Sequence, residues 1–358
     1  MDFQRLAELS TKNRIILNES ALLPKFSQDA HLICRKFEGE RILNAIKGHS
    51  IGICSENLFI HGPPGSGKTA IVKWALNRME EQSRQMVCIY ANCWRYSTSM
   101  SIYAKIADAF GEPVSRRGRA SDEIFDRIVG LMKASNKPIL LVLDEIEALV
   151  RYDNARILHN IARVDEDRVF FQVIGVSDSD NILLKLPQKT REILRFTKIE
   201  VPRYTREELL ALLRERAFVG LKPQSYDDNL LEDIADIGVA ARGSGRFAIE
   251  ILWRAARSSE DQGLAEVSKD EVLAIKREIG PIEVELSREE LLIHGLLKDG
   301  QKTTTELYPL FRSKVLRTKR QIRNYLWAME HKSLISIENV MAGNRSRYSI
   351  IRLREGLK

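Results

Sequence analysis

Cysteine is sparse in this sequence, and none of it is paired. Cys34, Cys54, Cys88 and Cys93 are scattered, no two form a C-x-x-C, and no histidine stands at zinc-ligand spacing from them. A disulfide framework and a structural zinc are therefore not expected, and a reduced intracellular setting is. No uncharged apolar run approaches the ~18 residues that a membrane span needs. The opening stretch MDFQRLAELSTKNR is charged throughout and has no apolar h-region, so no signal peptide is expected. Internal repeats and low-complexity tracts are also missing. These absences set aside disulfide scaffolds, membrane proteins and solenoids.

What remains is an ordinary globular composition, 44% hydrophobic and 29% charged, in 358 residues. That length is enough for two or three domains and a sizeable core. The net charge of +7 permits a polyanionic partner without proving one. Its distribution says more than its size: residues 282–358 hold 15 Lys/Arg against 9 Asp/Glu.

Up to about residue 202, short β-rich runs alternate with helical patterns. The runs are NLFIH (57–61), MVCIYA (86–91), PILLVL (138–143), VFFQVIGV (169–176) and KIEV (198–201), with amphipathic stretches such as 121–134 and 154–163 between them. Alternation of this kind predicts a parallel sheet covered on both faces. Pro202 breaks the pattern, and 205–280 reads as helix only, with a capping box at Ser268–Glu271. Helices are expected next at about 288–298, 304–313 and 317–332, the second opened by a Thr303–Glu306 capping box, followed by two alternating strands around Gly343-Asn344. Three short helices and a hairpin make the pattern of a winged helix. The expected domains are 1–202 (with 1–30 as an extension), 203–281 and 282–358.

HGPPGSGKTA contains G-x-x-x-x-G-K-[ST], after an apolar strand and before a helix. Its residues are Gly62, Pro63, Pro64, Gly65, Ser66, Gly67, Lys68 and Thr69, with Ala70 next. Glycines let backbone N–H groups face phosphate oxygens, and the helix N-terminus adds a favourable dipole. Lys68 is expected on the β- and γ-phosphates of ATP or ADP, and Thr69 on Mg²⁺. ILLVLDE ends a buried run in Asp144 and Glu145. Asp144 is the expected second Mg²⁺ residue, and Glu145 the base that polarises the attacking water.

With Gly62–Thr69, Asp144-Glu145 and an all-helical segment in that order, the chain resembles an AAA+ ATPase. The basic winged unit narrows this. Over about residues 30–355 the chain resembles the archaeal origin-recognition-complex (ORC/Cdc-type) replication initiators. YANCWRYSTSMSIYAKIADAFG is similar to their segment after the second strand, IGVSDSDNILLKL to their sensor 1 strand, and ARGSGRFAIEILWRAAR to their sensor 2 helix. The resemblance implies that Arg246, with Arg242 as competitor, reaches from the lid to the γ-phosphate. It places Lys189 and Arg191 where related ATPases carry an arginine finger. It also sets Asp178 where the family usually has asparagine. An amide can donate to a phosphate or orient water, whereas a carboxylate only accepts and repels a triphosphate unless Mg²⁺, a proton or an arginine compensates. Weak turnover with nucleotide binding preserved is the expectation, with Asn181 as the alternative polar group.

Residues 312–323 carry six cations and no acid. At 100° per residue, Ile322, Tyr325, Leu326 and Met329 share one arc, and Arg317, Lys319, Arg320 and Arg323 the opposite one. Such a ridge suits a DNA major groove, while Arg345 and Arg347 at the hairpin tip suit the backbone or minor groove. Arg116, Arg117 and Arg119 form a second basic loop, in a region where the resembled family contacts duplex. The resemblance thus implies a binder of double-stranded DNA that marks replication origins and helps recruit or load the replicative helicase, alongside other initiator paralogues. Nucleotide would act as a switch through the lid angle, in a cytoplasmic, nucleoid-associated setting with no membrane partner. The competing reading is an AAA+ ATPase of transcription control or protein remodelling, with the winged helix on a protein.

Overall fold

The computed structural model describes residues 14–23, 32–50, 56–82, 86–113, 121–163, 171–279, 287–298, 300–315, 318–331, 334–342 and 346–353. The chain forms two compact units, residues 1–279 and 280–358.

The first unit is built on a parallel five-stranded sheet in the order β2-β3-β4-β1-β5. The strands are β1 Leu58–His61, β2 Val87–Asn92, β3 Ile139–Asp144, β4 Phe171–Ser177 and β5 Thr197–Glu200, each within about two residues of its apolar run in the sequence. Central strands covered on both sides must be apolar throughout, and β3 is buried at every position. Its alternate residues serve two cores. Ile139, Leu141 and Leu143 pack with helices Ser99–Ala109, Ser121–Ser135 and Arg156–Arg163. Leu140 and Val142 pack with helices Lys36–Ser50 and Lys68–Gln82. The order places β4 between β1 and β3, so the end of β4 opens between the ends of those two strands.

The lid is four helices, Arg206–Gly220, Asp228–Ala240, Gly245–Asp261 and Lys269–Ile279, around a core that includes Leu213, Leu231, Ile251 and Leu252. Side chains fix three of the starts: Thr205 and Glu208 form a capping box, Asp227 accepts from Leu230 N, and Ser244 from Phe247 N. The capping box expected at Ser268–Glu271 does not form. Ser268 Oγ accepts from Asp270 N, but Glu271 is taken by Ser258 Oγ (2.5 Å) and Gln262 Nε2 (2.7 Å) on the preceding helix. Residues 14–23, first in sequence, complete the lid in space. Ile15, Ile16 and Leu22 enter its core, Ile16 bridges Leu221, and Glu260 Oε2 accepts from the Ile15 and Ile16 N–H groups at 3.0 and 2.8 Å.

The second unit has helices Arg288–Leu297, Thr304–Arg312 and Lys319–His331 and an antiparallel sheet, β6 Lys302–Thr303, β7 Ile335–Ala342 and β8 Ser346–Leu353, in the order β6-β8-β7. This is a winged helix. The Thr303–Glu306 capping box forms as expected. Strand β6 went unread in the sequence because two residues carry no alternation. The Gly343-Asn344 turn lies outside the described residues.

Candidate nucleotide site

A cleft of about 450 Å³ opens at the C-terminal ends of the strands, between the sheet and the lid. The loop 62–67 forms its floor. Lys68, first in helix Lys68–Gln82, is nearly buried and donates to the carbonyls of Gly62 (2.7 Å) and Pro63 (2.9 Å). Pro64, Gly65, Gly67, Thr69 and Ala70 line the cleft. Ser66 is fully buried, and its Oγ finds no partner among the described residues. Gly65 and Gly67 have φ of +78° and +98°, and an added Cβ would meet Ser244 Oγ at 2.2 Å and Tyr204 Oη at 2.5 Å. These glycines therefore permit both the turn and the close approach of the lid. Gly245 N donates to Gly65 O at 3.1 Å across that contact.

At the end of β3, Thr69 Oγ1 donates to Asp144 Oδ2 at 2.9 Å. These are hard oxygens of the kind Mg²⁺ takes. Tyr90 Oη donates to the same carboxylate oxygen at 2.5 Å. Glu145 has left-handed backbone (φ 55°) and accepts from Asn92 Nδ2 at 3.4 Å. Burial, and then the Asp144 charge beside it, raise the Glu145 carboxyl above its usual range, as suits a proton acceptor. Tyr90 and Asn92, both on β2, were not singled out in the sequence. The polar Asn92 that closes an apolar strand was the available signal.

The lid supplies the opposite wall. Arg246, exposed at the start of helix Gly245–Asp261, lines the cleft, while Phe247, Ile251 and Leu252 behind it are buried. Arg242 precedes that helix with φ 63° and does not line the cleft, and neither do Lys189 and Arg191 on helix Gln188–Leu194. Away from the lysine the lining turns apolar, with Leu32, Ile33, Leu212 and Ile249 beside Tyr204. A cationic end and an apolar end fit a phosphate chain and a base. Arg35, only 3% exposed, ties this corner together. It donates to Ser66 O (3.3 Å), Pro202 O (2.8 Å) and Glu208 Oε1 (3.1 Å), and stacks over the Tyr204 ring at 4.2 Å.

Asp178 lies at the exit of β4, and its Oδ1 accepts from Lys68 Nζ at 2.8 Å. Its N–H donates to Glu147 Oε1 at 2.8 Å, and the Ser177 hydroxyl donates to that same oxygen. A cation beside this carboxylate is thus the loop lysine. Asn181 sits in the turn of 3-10 helix Asp180–Lys185, exposed and outside the cleft lining.

In the winged unit, Ile322, Leu326 and Met329 are buried and Tyr325 is half-buried, while Lys319 and Arg323 are exposed on helix Lys319–His331. The apolar arc read from the sequence is present, and of the basic arc Lys319 and Arg323 are described. Arg323 Nε reaches Tyr308 Oη at 3.4 Å. Arg320 belongs to this helix and Arg347 to β8, where it pairs with Met341. Arg317, Arg345, Arg116, Arg117 and Arg119 lie outside the described residues.

Residues 55–183 match the AAA domain family, and residues 210–276 the Cdc6 AAA+ ATPase-type lid domain. The chain is 23% identical to an ORC1-type DNA replication protein of Desulfurococcus amylolyticus, covering 95% of this chain and 91% of that one. It is 28% identical to ORC1-type DNA replication protein 9 of Halobacterium salinarum, over 88% and 89%. Among solved structures, the Aeropyrum pernix ORC1 protein in complex with DNA superposes with a TM-score of 0.69 at 22% identity, covering 96% and 94% of the two chains. The ORC2 protein of the same organism, in ADPNP and ADP complexes, gives 0.67 at 22%, over 95% and 94%.

Proposed function

Because this chain is an AAA+ protein of the ORC1/Cdc6 type, we propose that it marks replication origins by binding double-stranded DNA under nucleotide control and helps recruit or load the replicative helicase. Residues 1–202 are the nucleotide-binding module in this reading, except that 14–23 pack into the lid core, with 203–281 the lid and 282–358 the DNA-binding module. The DNA side rests on one observation: Lys319 and Arg323 stand exposed on a helix whose opposite face, Ile322, Leu326 and Met329, is buried in a winged-helix core. A ridge of that kind follows a major groove while its helix stays anchored. In this reading Arg317, Arg320, Arg345 and Arg347 are further DNA contacts of the winged unit, and Arg116, Arg117 and Arg119 those of a second grip. The protein works at the nucleoid, in the cytoplasm, with other initiator paralogues as further partners.

Magnesium ATP, when bound, supplies a terminal phosphate that can be present or lost. Lys68 and the loop from Gly62 to Gly67 hold the phosphate chain, with Ala70 closing the first turn behind them. Thr69 and Asp144 hold Mg²⁺. Glu145 accepts the proton of the attacking water, and Arg246 reads the γ-phosphate from the lid. Asp178 cannot donate to a phosphate, so turnover is slow and nucleotide serves chiefly as a switch.

The test is duplex binding by fluorescence anisotropy over a salt series, in the full chain and in Arg320→Glu/Arg323→Glu. Affinity is expected to fall linearly on log–log axes, with the slope reduced by about 2 in the variant. Absent or salt-insensitive duplex binding overturns the proposal. Unchanged DNA binding in the variant, with ATP binding intact, would move the winged helix to a protein partner.

A further inference from the structure

A cluster of rings and cations, with Trp94, Arg95, Arg151 and Tyr152 exposed and Tyr96 and Lys105 half-buried, lies past the end of β2, outside the lining of the nucleotide cleft. Trp94 and Tyr152 are 47% and 55% exposed, and their rings meet edge to face at 6.3 Å. Arg151 lies over the Tyr152 ring at 5.4 Å. Beside Trp94 in the chain, the Tyr96 ring takes Arg95 at 5.6 Å and Lys105 at 5.2 Å. Three segments thus converge: the loop after β2, helix Ser99–Ala109 and helix Ile146–Asp153.

The loop that presents the rings is fixed. Asn92 Oδ1 accepts from the N–H groups of Trp94 (3.1 Å) and Arg95 (3.3 Å), Asn92 O accepts from Tyr96 N (2.9 Å), and Cys93 between them is fully buried. The neighbouring carboxylate, Asp153, is turned inward onto the backbone N–H and hydroxyl of Ser99. Arg95 and Lys105 pair with no carboxylate among the described residues. The surface therefore offers π faces and positive charge together, held in one place.

We propose that this cluster is a second nucleic-acid site, one that takes an unpaired strand. Bases stack on Trp94 and Tyr152, and Arg95, Lys105 and Arg151 meet the phosphates between them. In a duplex the base faces are hidden in the stack, so exposed rings add nothing to duplex binding. An unpaired strand presents base faces and phosphates at once, and every base has a π face, so this site is indifferent to sequence. Trp, Tyr and Arg also make protein hot spots, but a protein surface would need acids to match this charge. Unpaired strand is the product of duplex opening, so the site captures what an opening reaction releases. The winged unit takes no part in it.

The test uses the full chain, a fluorescein-labelled oligothymidine of about 16 nucleotides, enough for one stacking site, and a duplex of equal length. Trp94→Ala and Tyr152→Ala are each expected to weaken oligothymidine binding about tenfold, with duplex affinity held within about twofold. Trp94→Phe keeps a ring and retains most of the binding, which separates stacking from misfolding. Arg320→Glu/Arg323→Glu is expected to weaken duplex binding while leaving oligothymidine binding unchanged, so the two sites fail independently. Oligothymidine binding that is absent, or untouched by both alanine variants, overturns the proposal. A parallel fall for both DNAs overturns it too, by making the cluster part of a duplex grip. Loss of self-association on sedimentation in Trp94→Ala, with oligothymidine binding intact, assigns the cluster to a protein contact instead.

Discussion

Lys68 Nζ and Asp178 Oδ1 meet at 2.8 Å across the phosphate loop. The ammonium has three donors, and the carbonyls of Gly62 and Pro63 take the others. The side chain that the motif devotes to phosphate is therefore satisfied by the protein itself. Its anionic partner is no loose surface acid. Asp178 follows the buried Ser177, its N–H is held by Glu147, and Glu147 also accepts from the Ser177 hydroxyl. On the proposed reading, a nucleotide entering this cleft would compete with a built-in carboxylate for the lysine and would hold its terminal phosphate close to that carboxylate.

Asp178→Asn removes the competitor and introduces a group that can donate. Hydrolysis is expected to rise, and ATP to bind about tenfold tighter, which is ~1.4 kcal/mol. Stopped-flow binding of a fluorescent ATP analogue and a phosphate-release assay read the two effects separately. An unchanged or lower hydrolysis rate would show that the carboxylate does not limit turnover.

Arg246→Ala tests the lid wall. The arginine lines the cleft from the start of helix Gly245–Asp261, while the lid core behind it is formed by Phe247, Ile251 and Leu252. Truncation at an exposed position leaves that core intact. ATP affinity is expected to fall about tenfold and ADP affinity much less, since one charge-assisted contact to the terminal phosphate is lost. Equal losses for both nucleotides would place Arg246 away from that phosphate.

The parts of this molecule that repeat locally were legible in the sequence. A run such as ILLVLD can only be a strand buried on both faces, and β3 is that strand. The phosphate loop is a contiguous motif, and the arc of Ile322, Leu326 and Met329 follows from the helical period alone. Contacts between distant segments were not legible. Tyr90 meets Asp144 54 positions away, and Lys68 meets Asp178 110 positions away. No period encodes either. The misplaced acid at Asp178 was visible, but the identity of its cation was not. Residues 14–23 read only as part of an N-terminal extension of the first domain because their partners, Leu221 and Glu260, come more than 200 positions later.

Arg35→Ala tests how the base end of the cleft is held. The guanidinium is buried and bridges the phosphate loop, the exit of β5 and the first lid helix through Ser66, Pro202 and Glu208. Its removal leaves the buried Ser66 carbonyl, the Pro202 carbonyl and part of Glu208 without this donor. Losses of this type cost ~3 kcal/mol. Urea unfolding is expected to show that loss, with nucleotide affinity reduced in the same variant. Arg35→Lys restores the charge but not the fork, so it is expected to recover only part of either.

His49 sets an acid limit on stability. It lies at the end of helix Lys36–Ser50, is 2% exposed, and its Nε2 meets Ile139 O at 3.0 Å at the start of β3. Burial pushes the imidazole down from 6.5 to about 4, and the Ile139 carbonyl opposes the shift only in part. Between those values the unfolded chain binds a proton that the folded chain refuses. Stability from this group is therefore complete above pH 6.5 and drains away as pH falls toward 4. The full effect is ~3 kcal/mol, of which ~2 kcal/mol is lost by pH 5. Urea unfolding at pH 7.5 and pH 5 (both ~25 °C) is expected to show a drop larger by that amount in the natural chain than in His49→Gln, which keeps a donor for Ile139 but cannot titrate. Equal drops in the two proteins would mean that the histidine is not held neutral, and that its contact with Ile139 survives protonation.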